Sequence, residues 1–125
     1  MNEMPLEHEK LTEKIIGAAF EVHNTLGYGF LEKVYQKAMQ VELSNAGIKC
    51  LLEPQITVIY KNIDIGHYAA DLVVEDKVIV EIKTANKYRP EDEAQLLNEL
   101  KATVIRIGML INFGREKVEF KRMIF

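Results

Sequence analysis

In Asp71-Leu-Val-Val-Glu-Asp-Lys-Val-Ile-Val-Glu-Ile-Lys83, two apolar runs flank the polar turn Glu75-Asp76-Lys77. Val78 to Ile82 is apolar at both alternating sets of positions except Glu81, which predicts a central strand covered on each face. Glu81 and Lys83 are two apart, so their side chains leave the same face. Charges aimed into a covered face require partners. Asp71 precedes Glu81, and the turn between them determines whether they meet. A two-residue turn at Glu75-Asp76 pairs Val74 with Lys77 and sends Asp71 and Glu81 to opposite faces. A three-residue loop, Glu75-Asp76-Lys77, or a β-bulge pairs Val74 with Val78 and sets Asp71 across from Glu81. Two facing carboxylates repel unless a cation lies between them.

Outward from this stretch, the remaining elements follow from period and punctuation. Leu11, Ile15, Ala18, Val22 and Leu26 predict a helix over 7–26, stopped by Gly27-Tyr28-Gly29. A second helix runs from Leu31 to Asn45, with Leu31, Val34, Ala38 and Val41 as its apolar side and Gly47 at its end. Glu53 to Tyr60 alternates and is β-branched, so it reads as a strand. Asp64 to Val74 is the next strand, interrupted at Gly66, and 78–83 completes an antiparallel meander. Pro90 opens a third helix, with Glu91, Asp92 and Glu93 at the positive end of its dipole, running to Ala102. Val104 to Ile111 reads as a buried strand, and Val118 to Ile124 as an edge strand. The expected fold class is α/β, a sandwich with a mixed sheet in the order ααβββαββ.

The chain has 125 residues, 48% hydrophobic and 28% charged, which predicts one globular domain over 1–125. Its single cysteine, Cys50, excludes an intramolecular disulfide and a Cys-based zinc cluster within one chain. No apolar run approaches the roughly 20 residues of a membrane span. The acidic start of the chain lacks a signal-peptide core. The expectation is a soluble protein of the cytoplasm, with no membrane partner. Net charge is -3, unevenly spread: residues 54–100 hold five basic and nine acidic groups, whereas 101–125 hold six basic and two acidic. An acidic middle suits a hard cation.

Asp71, Glu81 and Lys83 on one face are equipment for metal-assisted phosphodiester hydrolysis. Carboxylate oxygens suit Mg²⁺ or Mn²⁺. A lysine orients water or neutralises developing charge. Asp71 followed after nine residues by Glu81-Ile82-Lys83 resembles the core of the PD-(D/E)xK nuclease superfamily, with Ala70 in place of the usual proline. Gly29-Phe-Leu-Glu32-Lys-Val-Tyr35 is similar to the motif of the GxxExxY family placed within it. Val22 to Gly27, Ala70 to Glu75 and Ala94 to Asn98 extend the likeness over about residues 11–114. Tyr28 and Ala69 stand where proline and often arginine are expected.

The resemblance implies a restriction-endonuclease-like sandwich and a metal-dependent nuclease acting on DNA or RNA. It implies Asp71 and Glu81 as metal ligands, the Ile82 carbonyl as a third, and Lys83 as the residue that positions water. On helix spacing alone, Glu32 is exposed and Tyr35 half-buried. The resemblance brings Glu32 to the metal site, directly or through water, and lets Gly29 admit a close approach of the turn. Gln95, in the first turns of the third helix, either reaches over the site or sits on the surface. His23 reads as a helix-packing histidine and His67 as a surface one. Lys87, Tyr88 and Arg89 read as a solvated loop whose composition also suits a nucleic-acid strand. A homodimer is a further partner in this reading. The alternative function is a non-catalytic binding or regulatory module that keeps the fold and acts through a protein or nucleic-acid partner.

Overall fold

In the computed structural model, residues 7–87 and 89–125 are described. The elements are α1 (Glu9–Leu26), α2 (Glu32–Asn45), β1 (Cys50–Leu52), β2 (Gln55–Tyr60), β3 (Ile63–Ala69), β4 (Leu72–Val74), β5 (Val78–Lys83), α3 (Pro90–Thr103), β6 (Ile107–Asn112) and β7 (Glu119–Ile124). Five strands form a mixed sheet in the order β1-β4-β5-β6-β7, and β2-β3 form a separate ribbon. The β5–β6 pair is parallel, joined through α3, and the other neighbours are antiparallel. This is the expected restriction-endonuclease-like sandwich with a mixed sheet.

Five strands precede α3 where three were expected. The segments 50–60 and 63–74 form one long hairpin bent in the middle. Leu52 pairs with Leu72 and Gln55 with Ala69, so the register is the same on both sides of the bend. At the bend, Glu53 takes a positive φ of 52° and Pro54 supplies no N–H. Glu53 N–H donates to the Asp71 carbonyl and Ala70 N–H to that of Pro54, holding the crossing together. The inner half joins the sheet as β1 and β4, and the outer half leaves it as the ribbon. The break therefore falls at Ala70-Asp71 rather than at Gly66, where the ladder only shifts register opposite Ile59.

β5 is buried on both faces. Val78, Val80 and Ile82 pack with Ile15, Ala19 and Met39 under α1 and α2. Ile79 packs with Leu96 and Leu100 of α3 on the other face. The apolar side expected for α2 is not the one it buries. Leu31 is 80% exposed, and Val34 and Val41 are also exposed, whereas Tyr35, Met39 and Leu43 form the inner face. Tyr35 decides the rotation: its ring stacks on Phe113 at 4.6 Å and its hydroxyl donates to the Gly27 carbonyl at 2.7 Å. α3 ends at Val104, exposed and left-handed, so β6 starts three residues later than expected. Among the described residues, no helix is long and apolar enough to cross a membrane.

Candidate active site

The turn after β4 settles the pairing of Asp71. Glu75 and Asp76 both adopt positive φ, and Lys77 N–H closes the turn on the Val74 carbonyl at 2.9 Å. These are the features of a two-residue turn, but Lys77 bulges out of the ladder as an extra residue, so that Val74 pairs with Val78 and Leu72 with Val80. Continuing that register places Asp71 opposite Glu81. Asp71 lies where the hairpin bends away, so the edge of β5 beyond Val80 carries no strand partner on that side. Asp71 Oδ2 fills the gap by accepting the Ile82 N–H at 2.6 Å. In an extended strand a residue's N–H and C=O leave the same edge, so the Ile82 carbonyl also faces the Asp71 side.

The second Asp71 oxygen accepts from Gln36 Nε2 at 2.7 Å. Gln36 is 5% exposed and comes from α2. Glu81 is 2% exposed, with the Glu99 and Asp71 carboxyls as its acidic neighbours. Burial first, then these two acidic neighbours, push the Glu81 carboxyl up to about 11. It therefore holds a proton at neutral pH when no cation is bound. Lys83 Nζ stands 3.7 Å from Asp92 Oδ1, both side chains being largely buried. Glu32 faces the same group from the start of α2. Its carboxyl is raised by burial; Lys83 opposes that shift, while Asp71 and Asp92 add to it.

The fold thus gathers Asp71, Glu81, Lys83 and Glu32 at the C-terminal end of β5, between the first turns of α2 and the α3 face of the sheet. Gln95 is exposed and reaches the cluster through Glu99, donating to Glu99 Oε2 at 3.2 Å. Tyr35 is fully buried rather than half-buried. It ties Gly27 to Phe30, whose N–H donates to the Tyr35 hydroxyl at 3.3 Å. His23 packs against Phe113 and bonds the Arg115 carbonyl through Nε2 at 2.8 Å. A Cβ at Gly29 would meet nothing within 4 Å; its φ of +112°, not a close approach, is what requires glycine. Tyr88 lies outside the described residues.

Gln36, Asp92 and Glu99 belong to the site without having been singled out from the sequence. Each carries a helical signal. Gln36 is four residues after Glu32, and Glu99 is four after Gln95, so each pair shares a face. Glu99 also sits between core positions Leu96 and Leu100 of α3, where a charge is anomalous. Asp92 stands among the acids of the first turn but turns inward to Lys83.

The donor set fits a hard divalent cation. Glu81 Oε1 and Glu99 Oε1 are buried without a hydrogen-bond partner, and an orphaned carboxylate oxygen is a place for a cation or a proton. Among the described residues, no three His, Cys, Asp or Glu side chains stand as a ready-made metal cage. Both Asp71 oxygens are engaged by N–H donors, so ligation there shares or displaces those bonds.

No curated protein matches the sequence significantly. Among solved structures, the crystal structure of SSO0001 superposes with a TM-score of 0.55 at 15% identity, covering 94% of this chain. This chain spans 59% of that protein's length. An alkaline exonuclease, LHK-Exo from Laribacter hongkongensis, superposes with a TM-score of 0.51 at 12% identity, over 90% of this chain and 81% of its own. At these identities the likeness is one of fold. A family profile described as the PD-(D/E)XK nuclease superfamily matches residues 9–123. The chain belongs to the PD-(D/E)XK nuclease superfamily.

Proposed function

We propose that this protein is a metal-dependent nuclease that hydrolyses phosphodiester bonds of DNA or RNA. The observation that carries the reading is the meeting of Asp71, Glu81 and Lys83 at the end of β5, with the buried Glu81 Oε1 left unpartnered. Asp71, Glu81 and the Ile82 carbonyl would hold Mg²⁺ or Mn²⁺. When bound, such an ion supplies charge for the phosphate and lowers the pKa of a coordinated water. Gln36 and the Ile82 N–H fix the Asp71 carboxylate from both sides. Asp92 holds the Lys83 ammonium in place to orient water or meet charge developing on phosphate oxygen. Hydrolysis adds the water oxygen to phosphorus and expels the sugar oxygen, which leaves as a hydroxyl. Glu32 and Gln95 border this space.

The test is cleavage of single- and double-stranded DNA and RNA with Mg²⁺ and with Mn²⁺. Wild type should cut at least one substrate, chelator should stop it, and Lys83→Ala should reduce it by about 10²-fold or more. No cleavage of any substrate with either ion would remove the nuclease reading. The second reading is a binding module of the same fold, cytoplasmic and acting through a nucleic-acid or protein partner. It is supported by the Lys83–Asp92 pair, which already neutralises the lysine. A homodimer would suit the β2–β3 ribbon, where Ile59, Tyr60, Ile63 and Ile65 are all exposed.

A further inference from the structure

Beside Lys83, on the α3 face of the sheet, lies a cavity of about 310 Å³. It opens at the C-terminal ends of the parallel strands β5 and β6, the place where open α/β sheets take ligands. The volume is at the lower end of the range for small-ligand pockets. Leu110 contributes an apolar part of its lining. Five cations line it, Lys83, Lys87, Arg89, Arg115 and Lys121, against two acids, Asp92 and Glu119. That excess of positive charge stands in a chain of net charge -3.

The wall is built rather than incidental. Asn112, at the end of β6, clamps the loop after β5. Its Oδ1 accepts from Ala85 N–H at 3.1 Å and from Gly114 N–H at 3.0 Å, and its Nδ2 donates to the Ala85 carbonyl at 2.9 Å. Gly114 packs so tightly that a Cβ there would sit 2.4 Å from the Thr84 carbonyl carbon. The loop that carries Lys87 thus starts from a fixed base.

The two arginines are held loosely. Arg115 stands 3.9 Å from Glu119 and Arg89 3.6 Å from Glu91, both pairs exposed. Exposed pairs at such separations are weak and exchange readily for a better anion. Lys121 is held more closely, at 2.6 Å from Glu93. Lys87 makes no ion pair among the described residues. A phosphate offers several acceptor oxygens to such a fork of guanidinium and ammonium groups.

We propose that this cavity is a nucleotide-phosphate subsite, in which Lys87 and Arg115 hold a phosphate of the polynucleotide next to the one that faces Lys83. The inference rests on the nuclease reading for its substrate class. The phosphate comes either from within the strand or from a phosphorylated end.

The experiment measures fluorescence anisotropy of short single-stranded oligonucleotides in chelator, where nothing is cut. The probes carry an internal dye and a 5′-phosphate, a 3′-phosphate or only hydroxyl ends. The proteins are wild type, the Lys87→Ala/Arg115→Ala double variant, and Lys61→Ala at the β2–β3 turn as a charge-matched control for one lysine. The double variant should bind roughly tenfold or more weakly at low salt. Its slope of log affinity against log salt should be shallower by about 0.7, the one single-strand phosphate that the two cations hold together. Lys61→Ala should leave both unchanged. A loss confined to one end-phosphorylated probe identifies an end phosphate, and equal loss on all three identifies an internal one. Wild-type affinity and slope in the double variant, or no binding by wild type, would overturn the subsite. If wild type binds as described yet cuts nothing with Mg²⁺ or Mn²⁺, the subsite stands and the nuclease reading falls. Cleavage with an unaffected double variant gives the reverse.

Discussion

Glu81 lies near the C-terminal end of the buried central strand β5. It is buried with two acidic neighbours, and its carboxyl is pushed up to about 11 from an ordinary value near 4.5. The native state therefore keeps a proton that the unfolded chain releases above about 4.5. Stability from this group is fully present below that pH. It declines as pH rises through neutrality toward about 11, because the native state binds the extra proton. Glu81→Gln replaces the titrating group with an amide that donates to the neighbouring carboxyls. In chelator, the melting temperature of Glu81→Gln minus that of wild type should grow steadily between pH 5 and pH 9. Thermal melts by circular dichroism across that range check it, and a difference independent of pH would show that Glu81 does not carry the buried proton. A cation replacing the proton reverses the cost, so wild type should gain stabilisation by divalent ions as pH rises.

At the level of elements, the β4–β5 turn and the β6–β7 turn fix the site from its two sides. Gly114 abuts the Thr84-Ala85 backbone, whereas a Cβ at Gly108 would meet only the Leu96 side chain, at 2.9 Å from Cδ1. A side-chain terminus can rotate aside, but backbone pinned by Asn112 cannot. Gly114→Ala should therefore lower stability by about 1–3 kcal/mol, and Gly108→Ala by less. Denaturant unfolding of both variants measures this; equal losses would mean the loop after β5 yields freely. The contrast bears on what could be read from the sequence. The apolar run of β5 and the spacing of Asp71, Glu81 and Lys83 were legible because burial and period are local properties. The pairing of Asp71 with Glu81 stayed open because one residue of turn length reverses a strand's faces, and only the observed register, Val74 with Val78, resolves it. The inner face of α2 was misread because that helix is apolar on two sides. Leu31, Val34 and Val41 lost to Tyr35, whose ring and hydroxyl both find partners across the fold. Gln36 and Glu99 escaped notice because their importance arises only when α2, β5 and α3 meet.

For the whole molecule, the separation of the two helical layers by one sheet means that the acidic cluster is assembled only in the native state. Asp71 comes from the bend of the long hairpin, Glu81 from the central strand, Glu99 from α3 and Gln36 from α2. The unfolded chain scatters them, so an ion held by Asp71 and Glu81 binds the native state almost exclusively and stabilises it by mass action. At ten times its dissociation constant the ion contributes about 1.4 kcal/mol, several degrees of melting temperature for a domain of this size. Asp71→Asn separates this linkage from ordinary damage. The Gln36 amide can turn its oxygen toward the new Asn amide, while the Asn oxygen still accepts the Ile82 N–H. Removing one acid from beside Glu81 also lessens repulsion. The metal-free variant should therefore melt no lower than wild type, whereas its shift with Mg²⁺ or Mn²⁺ should vanish together with any cleavage. Melts of both proteins with each ion and with chelator make the comparison. An equal ion-dependent shift in both would place the ion away from Asp71 and leave the hairpin bend with a purely structural role.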